Sequence, residues 1–373
     1  MGSHDAFASG GHNLEHRRES RPNETSGRVV VTGAAGSIGR RVAGAFPDAM
    51  PNWTVVGIDR VAAPPIPGVD HKIADLAVAS LRDYFDGADA VVHAATALRF
   101  DAVSEEDVRL ELAITRRVLD EADVAGVRHV ILLSSAMVYG AWPDNAMPLS
   151  EQAPLRPIAD LDFAVHKVEV ERLGEEWRRR GDGRRLTVLR PAITVSEDGP
   201  GTLGAMMVAS NVVRSEDGDA AVQFLHVEDL ASAVACATAR RYDGVLNVAP
   251  DGWISPDGFA ALTGPKPRIR LPDALARAFT SARFKLGLAP TPPGVVAYST
   301  YSWVVANDRL RALGWTPRNT NEEAYVSGFD PGPLDRLTAR KRQELALGVA
   351  GVGIAALVCA LIWTVLRIRR QVR

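Results

Sequence analysis

Three glycines set between a β-branched run and a helical pattern constrain this chain more than anything else in it. Arg28-Val29-Val30-Val31-Thr32 reads as a buried strand. Gly33, Gly36 and Gly39 follow at intervals of three, ahead of an amphipathic run carrying Arg40, Val42 and Phe46. The order is strand, tight turn, helix, and in that order each glycine has a task. The first makes the turn, the second lets backbone approach a pyrophosphate, and the third allows the helix to pack closely on the strand. At Ser37 and Ile38 the helix N-terminus would turn free N–H groups and its positive dipole end toward the phosphates.

An acid about 20 residues further on completes this pattern. Asp59 ends the second apolar run, Thr54-Val55-Val56-Gly57-Ile58. A carboxylate there suits the two hydroxyls of a ribose and repels a 2′-phosphate, which favours NAD over NADP. Arg40 and Arg60 keep NADP open.

Strands and helices then alternate. Ala90-Val91-Val92-His93-Ala94-Ala95 reads as a strand, Glu105–Ala125 as an amphipathic helix, Val130–Ser134 as a strand and Leu161–Arg180 as a charged helix. Leu186–Arg190 is a strand stopped by Pro191. The segment from Pro64 to Pro67 reads as a loop. This alternation predicts an α/β fold, a Rossmann-type doubly wound parallel sheet buried on both faces. The domain plan is a tail over 1–27, an NAD-binding domain over 28–190 and a smaller substrate-side subdomain over 191–330 interleaved with the last strands. Residues 331–344 would form a linker. Residues 1–27 carry almost no apolar side chains and are expected to stay unfolded. His4, His12 and His16 fall in that tail and read as solvated rather than as ligands.

The stretch Leu345–Leu366 carries no charge over 22 residues. As a helix it would be about 33 Å long, enough to cross a bilayer. Arg336, Arg340, Lys341 and Arg342 precede it, and Arg367, Arg369, Arg370 and Arg373 follow it. These features predict a transmembrane helix over 345–366, a basic tail over 367–373 and a membrane-anchored protein. With no signal-peptide pattern in residues 1–27, the NAD-binding domain is expected in the cytoplasm. Equal basic flanks leave the side of the tail undecided. With 43 basic against 45 acidic residues, no global field favours nucleic acid. The two cysteines, Cys236 and Cys359, are far apart, and neither a disulfide framework nor a metal site is expected.

Further motifs stand in a fixed order: Asp75-Leu76, His93-Ala94-Ala95, Ser134-Ser135-Ala136-Met137-Val138-Tyr139-Gly140, Phe163-Ala164-Val165-His166-Lys167, Leu189-Arg190-Pro191-Ala192, Phe224-Leu225-His226-Val227-Glu228-Asp229 and Leu313-Gly314-Trp315-Thr316-Pro317. Over residues 28–325 the chain resembles an extended short-chain dehydrogenase/reductase of the NAD-dependent epimerase/dehydratase family. The resemblance implies that Asp75 and Leu76 meet the adenine and that Ala94 lines the cofactor. It implies that Lys167 holds the nicotinamide ribose and that Ser135 orients the substrate oxygen. It also implies a small-molecule substrate such as a nucleotide sugar, and it leaves a homodimer open.

Two positions depart from that family. Phe163 stands where the family has the tyrosine that moves the proton, four residues before Lys167. Glu111 stands where the family has an asparagine. Tyr139 could replace the lost hydroxyl, although in the family it shapes the pocket. His166 has a suitable side chain but points about 100° away from Lys167 on a helix and reads as a surface histidine. His226 reads as structural. Two functions remain: an oxidoreductase or epimerase on a nucleotide sugar or lipid-linked substrate with an unusual proton route, or an NAD(H)-binding sensor or membrane scaffold that has lost turnover.

Overall fold

A computed structural model describes residues 26–96, 105–210, 213–216, 218–264, 269–288 and 291–329. The tail before residue 26, the apolar stretch 345–366 and its basic flanks lie outside the described residues. Among the described residues, no helix is long and apolar enough to cross a membrane.

The first half runs β1 (Gly27–Thr32), α1 (Ser37–Ala49), β2 (Trp53–Asp59), β3 (Val69–Ile73), α2 (Arg82–Phe85), β4 (Ala90–His93), α3 (Glu105–Val124), β5 (His129–Leu133), a 3-10 turn over Ala136–Tyr139, α4 (Asp162–Arg179) and β6 (Arg185–Pro191). The second half runs β7 (Ile193–Val195), α5 (Gly201–Ser210), β8 (Val213–Ser215), β9 (Phe224–His226), α6 (Val227–Ala239), β10 (Gly244–Val248), α7 (Pro256–Thr263), β11 (Ile269–Leu271), α8 (Asp273–Lys285), α9 (Val295–Thr300), α10 (Asp308–Ala312) and α11 (Asn321–Gly328).

Seven strands form one parallel sheet in the order β10-β6-β5-β4-β1-β2-β3. Its β-branched runs split between two cores because side chains alternate along a strand. Val29 and Val31 join Val42 and Phe46 of α1 and Val234 of α6 on one face. Val30 joins Val118 of α3 and Leu173 and Trp177 of α4 on the other. Helices therefore cover both faces, as the near-continuous apolar strands require.

The sheet departs from the sequence reading in two details. Ala94 and Ala95 fall outside β4, which ends at His93. Pro191 does not stop β6 but is its last residue, paired with Val248 of β10. A terminal position tolerates the missing N–H because the ladder need not continue through it. Residues after 191 return to the large sheet through β10. They also form two small parallel pairs, β7 with β9 and β11 with β8. In a doubly wound sheet, ligands bind beyond the carboxyl ends of the strands, where the strand order reverses. Here that point lies between β1 and β4, beside the glycine turn.

Candidate active site

The glycine turn is built by close contacts. Gly33 has φ +75°, and a Cβ there would stand 2.5 Å from Ala95 Cα. A Cβ on Gly39 would stand 2.0 Å from the Gly33 carbonyl oxygen. Gly36 differs: a Cβ there would meet only that oxygen, at 3.3 Å, and would otherwise project into open space. Gly36 also caps α1, whose first turn holds no acid and no capping side chain, and Ser37 and Ile38 line the cleft beside it. An N-terminus with uncommitted N–H groups and no carboxylate in its first turn suits a diphosphate.

Asp59 closes this half. Its Oδ2 accepts from Ala35 N (3.0 Å) and its Oδ1 from Val61 N (3.2 Å), which fixes the carboxylate at the end of β2. Asp75, Leu76 and Ala94 line the same space. Asp75 Oδ1 accepts from Ala77 N at 2.9 Å. The residues present fit the cofactor expected from the sequence: a turn left open at Gly36, a helix end for phosphates and an oriented carboxylate for a ribose.

Ser37, Ile38, Ala94, Ala95 and Thr96 continue into a second chamber that holds Ser135, Phe163 and Lys167. Ser135 caps the 3-10 turn, its Oγ accepting from Met137 N at 3.2 Å. Lys167 and Phe163, one helical turn apart on α4, face the cleft together, with Nζ 5.7 Å from the Phe163 ring centroid. Leu133, Ala192, Val195, Leu203 and Leu230 make much of the remaining wall.

The structure joins Glu111 to this group. Its Oε1 lies 3.7 Å from Lys167 Nζ, and Thr96 Oγ1 lies 2.9 and 2.8 Å from its two oxygens. Burial pushes the Glu111 carboxyl up. His166, Lys167 and Thr96 outweigh it and hold the group at about 2.

His166 is not a surface residue. It is 2% exposed, and its Nε2 lies 3.3 Å from Glu111 Oε1. That distance is within ion-pair reach, but neither ring nitrogen has a partner aligned as a hydrogen bond. The 100° rotation away from Lys167 is as the sequence implies. It turns the ring onto α3 instead of into solvent, because α3 and α4 pack side by side.

Tyr139 is not brought to Lys167 either. It is 1% exposed, its hydroxyl donates to Asn247 Oδ1 and accepts from Arg190 Nη1, both at 2.8 Å, and the Arg190 guanidinium lies 4.9 Å from its ring centroid. Burial raises its pKa above the usual phenol value. Arg190 in turn donates to both oxygens of Glu171, and Ser134 Oγ donates to Glu171 Oε1. Ser134 ties this buried network to the chain position next to Ser135. The Leu189-Arg190-Pro191 motif signalled it in the sequence; Thr96, Glu171 and Asn247 gave no signal of their own.

Two histidines complete the picture. His93 lines the chamber but is held by Thr32 Oγ1 (2.8 Å) and Thr115 Oγ1 (3.2 Å). Burial lowers its pKa to about 4, so it is neutral near pH 7. His226 caps α6 through Glu228 N, and its Nε2 lies 3.1 Å from Glu197.

Comparison with known proteins agrees with this geometry. A UDP-glucose 4-epimerase from Azospirillum brasilense is 27% identical over 364 residues, covering 87% of this chain and 95% of the relative. An uncharacterized Mycobacterium tuberculosis protein, Rv0501, is 26% identical over 204 residues, so the match spans about half (54%) of that relative's length. Among solved structures, MoeE5 in complex with UDP-glucose and NAD superposes with a TM-score of 0.61 at 25% identity, covering 81% of this chain and 97% of that one. The model of the NAD dependent epimerase/dehydratase family matches residues 29–249, and its description names the cofactor read from Gly33, Gly36, Gly39 and Asp59. The chain belongs to the NAD dependent epimerase/dehydratase family.

Proposed function

We propose that this protein is a membrane-anchored oxidoreductase or epimerase that binds NAD and a nucleotide sugar or lipid-linked sugar in one cleft. The observation that carries the reading is the continuity of that cleft, from Gly36 and Asp59 to Ser135 and Lys167. The glycine turn and α1 hold the pyrophosphate, Asp59 the adenosine ribose and Lys167 the nicotinamide ribose. Ser135 orients the substrate hydroxyl. Bound NAD would supply a hydride acceptor at the Ser135–Lys167 end. The segment 345–366 anchors the chain with the cofactor domain in the cytoplasm.

Oxidising an alcohol releases a hydride from carbon and a proton from oxygen, and the proton needs an acceptor. The phenyl ring of Phe163 cannot take it. Tyr139 has both lone-pair and proton capacity committed to Arg190 and Asn247. The proton therefore leaves by way of the Ser135 hydroxyl and cleft water, a slower path than a phenol over Lys167. A second reading draws on the same observation: a cleft that keeps its cofactor contacts and lacks the proton carrier suits an NAD(H) sensor or scaffold.

The test titrates NAD into the full-length wild type and Asp59→Ala, then follows single-turnover NADH formation with a panel of sugar nucleotides. Tight NAD binding weakened by Asp59→Ala, with slow NADH formation on one sugar, supports the enzyme. Binding with no NADH formed on any sugar favours the sensor. No NAD binding by the wild type overturns both.

A further inference from the structure

Helix α8, Asp273–Lys285, presents an apolar stripe to solvent. Leu275 is 57% exposed, Phe279 45%, Leu286 71% and Leu288 67%. The first three lie four and seven residues apart, one side of a helix continued into its C-terminal turn. Ala274, Ala278 and Ala282 are exposed on the same side, while Ala276 and Thr280 are buried on the other. The helix is therefore amphipathic in reverse of its surroundings: small buried side chains inward, large apolar ones outward. Scattered single apolar residues on a surface need no explanation, but a continuous ridge does.

On the ridge's own helix cations outnumber acids, Arg277, Arg283 and Lys285 against Asp273, while Arg270 on the neighbouring β11 is held by Asp219 at 2.6 Å. Between Gly264 and Leu288 the sequence holds Lys266, Arg268, Arg270, Arg277, Arg283 and Lys285 against a single acid, Asp273, in a chain whose net charge is −2. Asp273 is taken by Arg277 at 2.9 Å. The Arg283 guanidinium lies 5.7 Å from the Phe279 ring centroid, so cation and apolar ridge are contiguous. Large apolar side chains flanked by Lys and Arg, with few acids, form the pattern of a helix lying in the interface of an anionic bilayer.

We infer that the exposed face of α8 docks on an anionic lipid surface. Leu275, Phe279, Leu286 and Leu288 enter the acyl boundary, and Arg283 and Lys285 meet the headgroup phosphates. The uncharged stretch 345–366 carries the chain to such a surface, and the inference rests on that proposed anchor for proximity alone. Docking also orients the cleft. α8 packs on α9, α9 packs on α5, and Gly201, Thr202 and Leu203 of α5 line the Ser135–Lys167 chamber. The docked helix is thereby linked through two helices to the wall of that chamber.

The experiment measures amide hydrogen exchange of the full-length chain in three settings: nanodiscs of phosphatidylcholine with roughly 30% phosphatidylglycerol, nanodiscs of phosphatidylcholine alone, and detergent micelles. Amides of residues 273–288 are expected to exchange about tenfold more slowly in the anionic discs than in the other two. The triple variant Leu275→Ser, Phe279→Ser, Leu286→Ser should lose that protection while NAD titration stays as in the wild type. Equal exchange in all three settings, with the chain retained in the discs, overturns the docking and leaves the anchor standing. Equal protection in neutral and anionic discs overturns the charge pairing, and with it the inference. Protection that appears in lipid-free protein and rises with concentration would show that a second copy covers the ridge, which also overturns it. Failure of the chain to enter any disc defeats the anchor and the docking together, and NAD binding in the same sample separates that outcome from failure of the cofactor reading.

Discussion

Glu111 Oε1 stands 3.7 Å from Lys167 Nζ, while the Phe163 ring centroid lies 5.7 Å from the same nitrogen. The lysine expected to hold the nicotinamide ribose is thus paired with a buried carboxylate and has a phenyl ring where a phenol would be. A negative charge close to the nicotinamide favours the cationic oxidised ring over the neutral reduced one. Glu111→Gln should therefore shift preference from NAD toward NADH by about three- to tenfold. Fluorescence titration of both forms against wild type and variant reads the ratio. An unchanged ratio would mean that Glu111 acts only as packing for Lys167.

The glycine turn makes a paired prediction. Gly36→Val puts a branched side chain into the open cradle, so NAD affinity should fall at least about a hundredfold while the melting temperature stays within a few degrees. In Gly39→Ala the new Cβ would meet the Gly33 carbonyl oxygen at 2.0 Å. That variant should lose stability, by roughly 1–3 kcal/mol, before any effect on the cofactor can be measured. Calorimetry and thermal melts on both variants separate the outcomes. A stable Gly39→Ala protein would contradict the close packing of α1 on the turn.

Stability should depend on pH through two buried histidines. His93 and His129 are both lowered to about 4, chiefly by burial. In the unfolded chain they bind a proton near pH 6.5. Between those values the unfolded state holds more protons, so stability falls as pH drops from 6.5 to 4, by up to roughly 3 kcal/mol for each histidine. Below about pH 4 the contribution is gone. Thr187 passes its own proton to the Tyr242 carbonyl and so accepts from His129 Nε2, at 2.8 Å. His129→Gln keeps a donor there and removes the titration. The denaturation midpoint of that variant should fall less steeply across this range, and a slope equal to wild type would refute the assignment.

Much of the scaffold could be read directly from the chain. The apolar runs at 29–31, 55–58 and 130–132 alternate between two cores, and their shortness, their β-branched residues and the turns that bound them mark them as strands. Gly33, Gly39 and Asp59 were legible because their tasks are local: a turn, a close contact and a strand end. The pairing of His166 with Glu111 was not. It depends on how α3 lies against α4 across one face of the sheet, and nothing in either helix specifies its neighbour. Tyr139 was legible as a phenol near Ser135, but its commitment to Arg190 and Asn247 depends on β6 and β10, 51 and 108 residues further along.

That commitment predicts a structural role for Tyr139. Tyr139→Phe leaves Asn247 Oδ1 and Arg190 Nη1 without their partner in a buried site. Stability should fall by about 1–3 kcal/mol, while the NAD dissociation constant and any single-turnover rate change less than about twofold. A large fall in rate with stability intact would instead make Tyr139 the missing proton carrier, reaching the substrate only when the cleft is filled.

Phe163→Tyr tests what the missing hydroxyl does. Phe163 and Lys167 face the same chamber one turn apart, with Nζ 5.7 Å from the ring centroid, and Ser135 lines that chamber too, so a hydroxyl on this ring would enter the space that holds both. It would also enter a site where Glu111 competes for the lysine. If the lost phenol is what limits chemistry, the variant should form NADH about 10²–10⁴ times faster on the preferred sugar nucleotide, the usual worth of a placed general acid or base. Adding Glu111→Asn should raise the rate further, because Lys167 is then free to stabilise the phenolate. Rates from single turnovers keep product release out of the comparison. If the wild type already turns over rapidly and Phe163→Tyr slows it, the proton leaves by a route that the phenyl ring protects, and the Ser135 and cleft-water path becomes the one to dissect.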